Sequence, residues 1–139
     1  MACGSKGAKQ NNATSTEPQS QTEQVAAIPD HVEVLYFHSK KRCVTCMAIE
    51  KYTQEVVETE FANQLADNSV VYRSIDISEA ENEAIADHYE VTWSSLFVVQ
   101  WHDGKEIYDN LTEYAFANAR NNTDEFKDNL TDKINQLLQ

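Results

Sequence analysis

The chain has 139 residues, 41% of them hydrophobic, and carries 23 acidic against 11 basic side chains for a formal charge of −12. A length of this order buries one core and argues for one domain. The negative balance opposes binding to nucleic acid or to an anionic lipid face, and no apolar run reaches the roughly 18 residues of a membrane-spanning helix.

Between Gly4 and Gln24 only alanines and one proline have any apolar character. Such a stretch cannot bury enough surface to offset the entropy of ordering it. Residues 1–29 are therefore expected to form a disordered tether, and residues 30–139 the folded domain. Within "MACGSKG", Cys3 follows a small residue, as in the end of a bacterial lipobox, although no charged and apolar signal segment stands ahead of it. That resemblance implies a lipid-anchored, periplasmic protein with Cys3 as the lipidated residue. If Met1 is the true start, the expectation is a cytoplasmic protein.

"HVEVLYFH" (31–38) is rich in β-branched and aromatic residues and nearly continuous in apolar character after Glu33, as a strand covered on both faces should be. From Met47, apolar residues recur at threes and fours through Ile49, Tyr52, Val56, Val57, Phe61 and Leu65, which predicts one helix of about twenty residues. "SVVYRSIDI" (69–77) reads as a second strand, completing a right-handed βαβ unit. Ser78 with Glu81 predicts a capping box and a helix to about Tyr89. "SLFVVQW" (95–101) and "KEIYDN" (105–110) flank "HDG", an Asp-Gly hairpin signal. No element is assigned between Leu111 and Asn121. Asn122 with Glu125 repeats the capping pattern ahead of a helix whose face is Phe126, Leu130, Ile134, Leu137 and Leu138.

"KKRCVTCM" (40–47) places Cys43 in the turn leaving the first strand, at the start of the long helix, with Cys46 one turn further in. Unpaired amides and the dipole at a helix N-terminus favour a thiolate over a thiol. Lys40, Lys41 and Arg42 add charge of the same sign. Cys43 is thus expected to be the exposed nucleophile and Cys46 the inward, resolving thiol. Ligands of open α/β sheets also gather off the carboxyl ends of strands, where this turn lies.

Motif and element order together resemble the thioredoxin-like superfamily across residues 31–139. "VLYFHSKKRCVTCMAIE" matches its strand, active-site turn and helix, "VVYRSIDI" its next strand, and "YEVTWSSLFVVQWHDGKEI" its hairpin. More narrowly, "YFHSKKRCVTCMAIE", "SIDISEAENEAIADHYEV" and "SSLFVV" look like the small bacterial ArsF family, named for a nitrophenyl compound nitroreductase subunit. The resemblance implies an α/β fold with a mixed sheet of about four strands flanked by helices. It implies a monomeric thiol-disulfide oxidoreductase, with a protein thiol or disulfide as partner and no cofactor beyond its own redox-active disulfide.

Three departures stand out. Arg42 occupies the place of the usual tryptophan before the first cysteine. Tyr36 and Phe37 stand where thioredoxins keep a buried acid. In "TWSSLF" the position of the family's cis-proline falls at about Ser95, and a cis bond before serine is costly enough that a trans loop is expected. Val44, Thr45, His38, Trp93, Ser94 and Ser95 are the further residues expected to line or tune the site.

The competing reading is a non-catalytic module that holds a soft metal or metalloid, Cu(I), arsenite or zinc, or a redox partner, through Cys43 and Cys46, with His38 as a candidate third ligand. A structural zinc site normally needs four ligands, and the sequence holds no second C-x-x-C. His38 at a strand end is more commonly a half-buried partner of nearby backbone. Trp93 is as well explained by packing, Lys40 to Arg42 by a solvated turn, and "EAENEAIADHYE" by a solvated face. His31, His88 and His102 form no catalytic pattern with other residues.

Overall fold

The computed structural model describes residues 28–139. Cys3 and the expected tether, as far as residue 27, lie outside the described residues. The elements are β1 (His31–His38), α1 (Val44–Glu60), α2 (Ala62–Ala66), β2 (Val70–Asp76), α3 (Glu83–His88), β3 (Ser95–His102), β4 (Lys105–Asn110), α4 (Thr112–Asn118) and α5 (Thr123–Leu138). The four strands form one mixed sheet in the order β2-β1-β3-β4. β1 runs parallel to β2 and antiparallel to β3, and β3 is antiparallel to β4. This is the mixed four-stranded α/β arrangement with flanking helices expected from the sequence.

The period-two geometry of strands divides the core. Val32, Val34 and Tyr36 of β1 face a cluster with Ile49, Val56 and Val57 of α1, Ala115 of α4, and Phe126, Leu130 and Ile134 of α5. Leu35 and Phe37 face the opposite side, with Ile75, Phe97 and Val99 of the sheet and Ala86, Tyr89 and Val91 in and after α3. Burial on both faces explains the unbroken apolar run in β1. Asp103 and Gly104 in the hairpin both have positive φ, 55° and 73°, as a two-residue type I′ turn requires.

Several local expectations are corrected. The long helix ends at Glu60 because Phe61 leaves helical geometry (φ −127°) and buries its ring, and α2 follows as a separate short helix. Neither capping box forms. Ser78 donates from its amide and its hydroxyl to Asp76 Oδ1, at 2.9 and 2.6 Å, so that a 3-10 turn (Ala80–Asn82) precedes a helix of only six residues. Asn122 turns its amide to Asn118 Oδ1 rather than to its own helix. In the unassigned stretch stands α4, where Asn110 Oδ1 accepts from the Thr112 amide at 3.0 Å.

Candidate thiol site

β1 delivers the chain at His38 to the carboxyl end of the sheet, and residues 39–43 turn it into α1. The turn is tied by the Ser39 hydroxyl, which donates to the Lys41 carbonyl at 2.7 Å. Cys43 is the N-cap of α1 in extended geometry, and its sulfur accepts from the Cys46 amide at 3.2 Å. It thereby takes the place usually filled by a serine or aspartate oxygen. Cys43 is exposed, whereas Cys46 is 6% exposed and points inward. Both are free, with the sulfurs 2.8 Å apart and hydrogen-bonded.

These contacts hold the Cys43 thiol below the ordinary cysteine value. The leading causes are the hydrogen bond from Cys46 Sγ and then that from the Cys46 amide, with the Thr45 and Cys43 amides adding to them. Tuning thus comes chiefly from hydrogen bonds at the helix origin rather than from the cation run. Arg42 in particular is engaged elsewhere. Its guanidinium pairs with Glu50 of α1 and lies 3.4 Å from Nε2 of His38. Glu50 also accepts from Ser74 of β2 at 2.9 Å.

His38 is buried, stacked on Tyr36, with Nδ1 3.1 Å from the Ser39 carbonyl. Both ring nitrogens thus face neighbours other than the cysteines. No group of three or more His, Cys, Asp or Glu residues able to hold a metal ion occurs among the described residues. His38 is therefore not brought together with the cysteines as a third ligand.

Of the loop ahead of β3, Ser94 and Ser95 are both buried, and Trp93 is 64% exposed, stacked on Phe116. Ser94, not Ser95, is the serine that reaches the site. Its side chain lies beside the Tyr36 hydroxyl, whereas the Ser95 hydroxyl turns back to the Trp93 carbonyl at 3.0 Å. The described residues contain no cis peptide bond. Val44 and Met47, on the first turns of α1, are exposed like Trp93. The site is flanked by hollows along α1 at Met47 and Glu50 and, ahead of β3, at Trp93 and Ser95. One concavity, of about 460 Å³, lies elsewhere, along α4 and α5 at Tyr114, Phe126 and Leu130.

The contacts of two residues at the site were not foreseen from the sequence. Tyr36, concealed in an apolar strand, is fully buried and donates from its hydroxyl to the Cys46 carbonyl at 2.8 Å. Burial pushes that hydroxyl well above the usual tyrosine range. Glu50 resembled any solvated helix carboxylate, and only its place one turn beyond Cys46 on α1 hinted at a link to the turn. The other histidines pair with carboxylates away from the cysteines: His31 with Glu33, His88 with Glu106 and His102 with Asp30.

No protein-family model matches the chain, and no curated protein matches it. The narrower resemblance to the ArsF family is accordingly not supported. Among solved structures the chain is similar to a thioredoxin from Thermus thermophilus, at 17% identity and a TM-score of 0.44, covering 70% of each chain. It is also similar to a structure described as a malarial protein, at 15% identity and a TM-score of 0.38, covering 63% of this chain and 93% of that one.

Proposed function

We propose that the protein exchanges thiols and disulfides with a protein partner through Cys43 and Cys46. The observation that carries this reading is the exposed Cys43 sulfur at the N-cap of α1, hydrogen-bonded by the Cys46 amide and thiol and held below the ordinary thiol value. The Cys43 thiolate attacks one sulfur of a partner disulfide, forming a mixed disulfide and releasing the partner's other sulfur as a thiolate. Cys46, its proton passed to solvent, then attacks Cys43 Sγ. The Cys43–Cys46 disulfide forms and the second partner thiolate leaves, so two thiols are oxidised and one disulfide is reduced. Read backwards, the same steps oxidise a partner dithiol. Stabilising the thiolate favours the reduced form, which gives the pair the character of an oxidant.

Reduction of insulin disulfides by the reduced protein, beside metal analysis of anaerobically purified protein, tests the reading against the soft-metal alternative. Turnover without stoichiometric metal is expected. Cys43→Ser should abolish attack, and Cys46→Ser should accumulate mixed disulfides. Metal bound at one per chain with no turnover, or identical behaviour of the two variants, would overturn the assignment. Tethering through a lipid on Cys3 belongs to the same proposal, and would present the domain to partners outside the cytoplasm.

A further inference from the structure

We infer that Tyr36 is a positioning residue for the cysteine pair, its buried hydroxyl tying β1 to the carbonyl of Cys46 and so fixing where α1 presents both sulfurs. The inference takes the pair as the working site, as proposed above. Three elements meet at this hydroxyl. Tyr36 comes from near the carboxyl end of β1 and is fully buried. It donates to the Cys46 carbonyl at 2.8 Å, and the buried Ser94 side chain lies beside it.

The bond is not part of the regular helix ladder. A carbonyl in the first turn of a helix accepts from the amide four residues on, and carbonyl oxygens have a second lone pair. Tyr36 occupies that second site on Cys46. A donor placed there withdraws negative potential from the turn that surrounds both sulfurs, and so acts in the same sense as the amides that stabilise the Cys43 thiolate. Tyr36 does not serve as a base, because its buried hydroxyl stays protonated and already donates. Its action on the sulfurs passes through the backbone of Cys46.

Tyr36→Phe keeps the ring and removes the hydroxyl. Losing the donor should weaken the thiolate and favour the disulfide. With a net hydrogen bond of ordinary strength at stake, the equilibrium of the pair with glutathione should move about fivefold toward the protein disulfide. The ionisation midpoint of Cys43, read from the pH profile of alkylation, should rise. Ser94→Ala removes the polar neighbour of that hydroxyl and should shift both readouts in the same direction by less, which keeps the test decisive if Tyr36→Phe fails to fold. Both variants within about twofold of wild type, or lowered thermal stability with an unchanged equilibrium, would overturn the inference, since either lies below the effect of one hydrogen bond. A wild-type protein that reduces no protein disulfide but shows the Tyr36→Phe shift would remove the proposed function and leave the positioning role intact.

Discussion

At Cys43 the important contrast is between hydrogen bonds and formal charges. Three cations precede it, yet Arg42 is held by Glu50 and turned toward His38, while the sulfur itself takes its stabilisation from Cys46 and the amides of the helix origin. An exposed ion pair contributes little. Arg42→Ala should therefore change the alkylation rate of Cys43 at neutral pH by less than about threefold, the scale of an exposed charge interaction. A larger drop would return the tuning role to the cation run. The depressed thiol also carries a sign for stability. A group whose folded value lies below its unfolded value contributes fully above the unfolded value, and loses that contribution as the pH falls through the folded one. The reduced protein should accordingly gain resistance to urea as pH rises toward about 8.5, where an unfolded cysteine titrates. Because Cys43 is exposed the gain is screened and small. Cys43→Ser should flatten that rise, and an identical slope in the variant would show that another group produces it.

Among the elements, sequence patterns were most legible where one physical requirement dominates. The hairpin is such a case, since two successive positive-φ residues call for Asp-Gly, and Asp103 and Gly104 adopt them. Gly104→Ala should destabilise the protein by about 1 to 2 kcal/mol, the cost of placing a Cβ in left-handed geometry. A urea midpoint equal to wild type would show that the turn relaxes to another type. The face of α5 was equally readable, because Phe126, Leu130 and Ile134 recur every four residues and all three are buried. Truncating the first, Phe126→Ala, should cost about 3 to 5 kcal/mol in equilibrium unfolding. Less legible were features decided by competition between partners. Ser78 has a capping sequence, but Asp76 two residues before it is the closer acceptor. The end of α1 has no glycine or proline to announce it, because burial of Phe61 decides it. The site shows the same division: a C-x-x-C spacing at a strand-to-helix turn was readable. The role of Tyr36 was not, for its hydroxyl finds Cys46 ten residues away only once β1 and α1 have packed.

For the whole molecule, two electrostatic ranges oppose each other at the site. The chain carries −12, but the residues beside Cys43 include Lys40 and Lys41, both exposed and forming no salt bridge among the described residues. Ionic strength selects between them. At about 0.01 M salt the screening length is roughly 30 Å, so a small disulfide approaching Cys43 experiences the charge of the entire domain. At about 0.15 M it is roughly 8 Å, and only the neighbouring lysines remain in range. Anionic glutathione disulfide should therefore react faster as salt is raised between these limits, whereas dicationic cystamine should react more slowly. Replacing both lysines in a Lys40→Glu, Lys41→Glu variant should remove the preference for the anionic disulfide at the higher salt while preserving the low-salt order. If glutathione disulfide instead slows steadily with added salt in the wild type, the local cations govern approach at every distance, and the net charge has no part in partner selection.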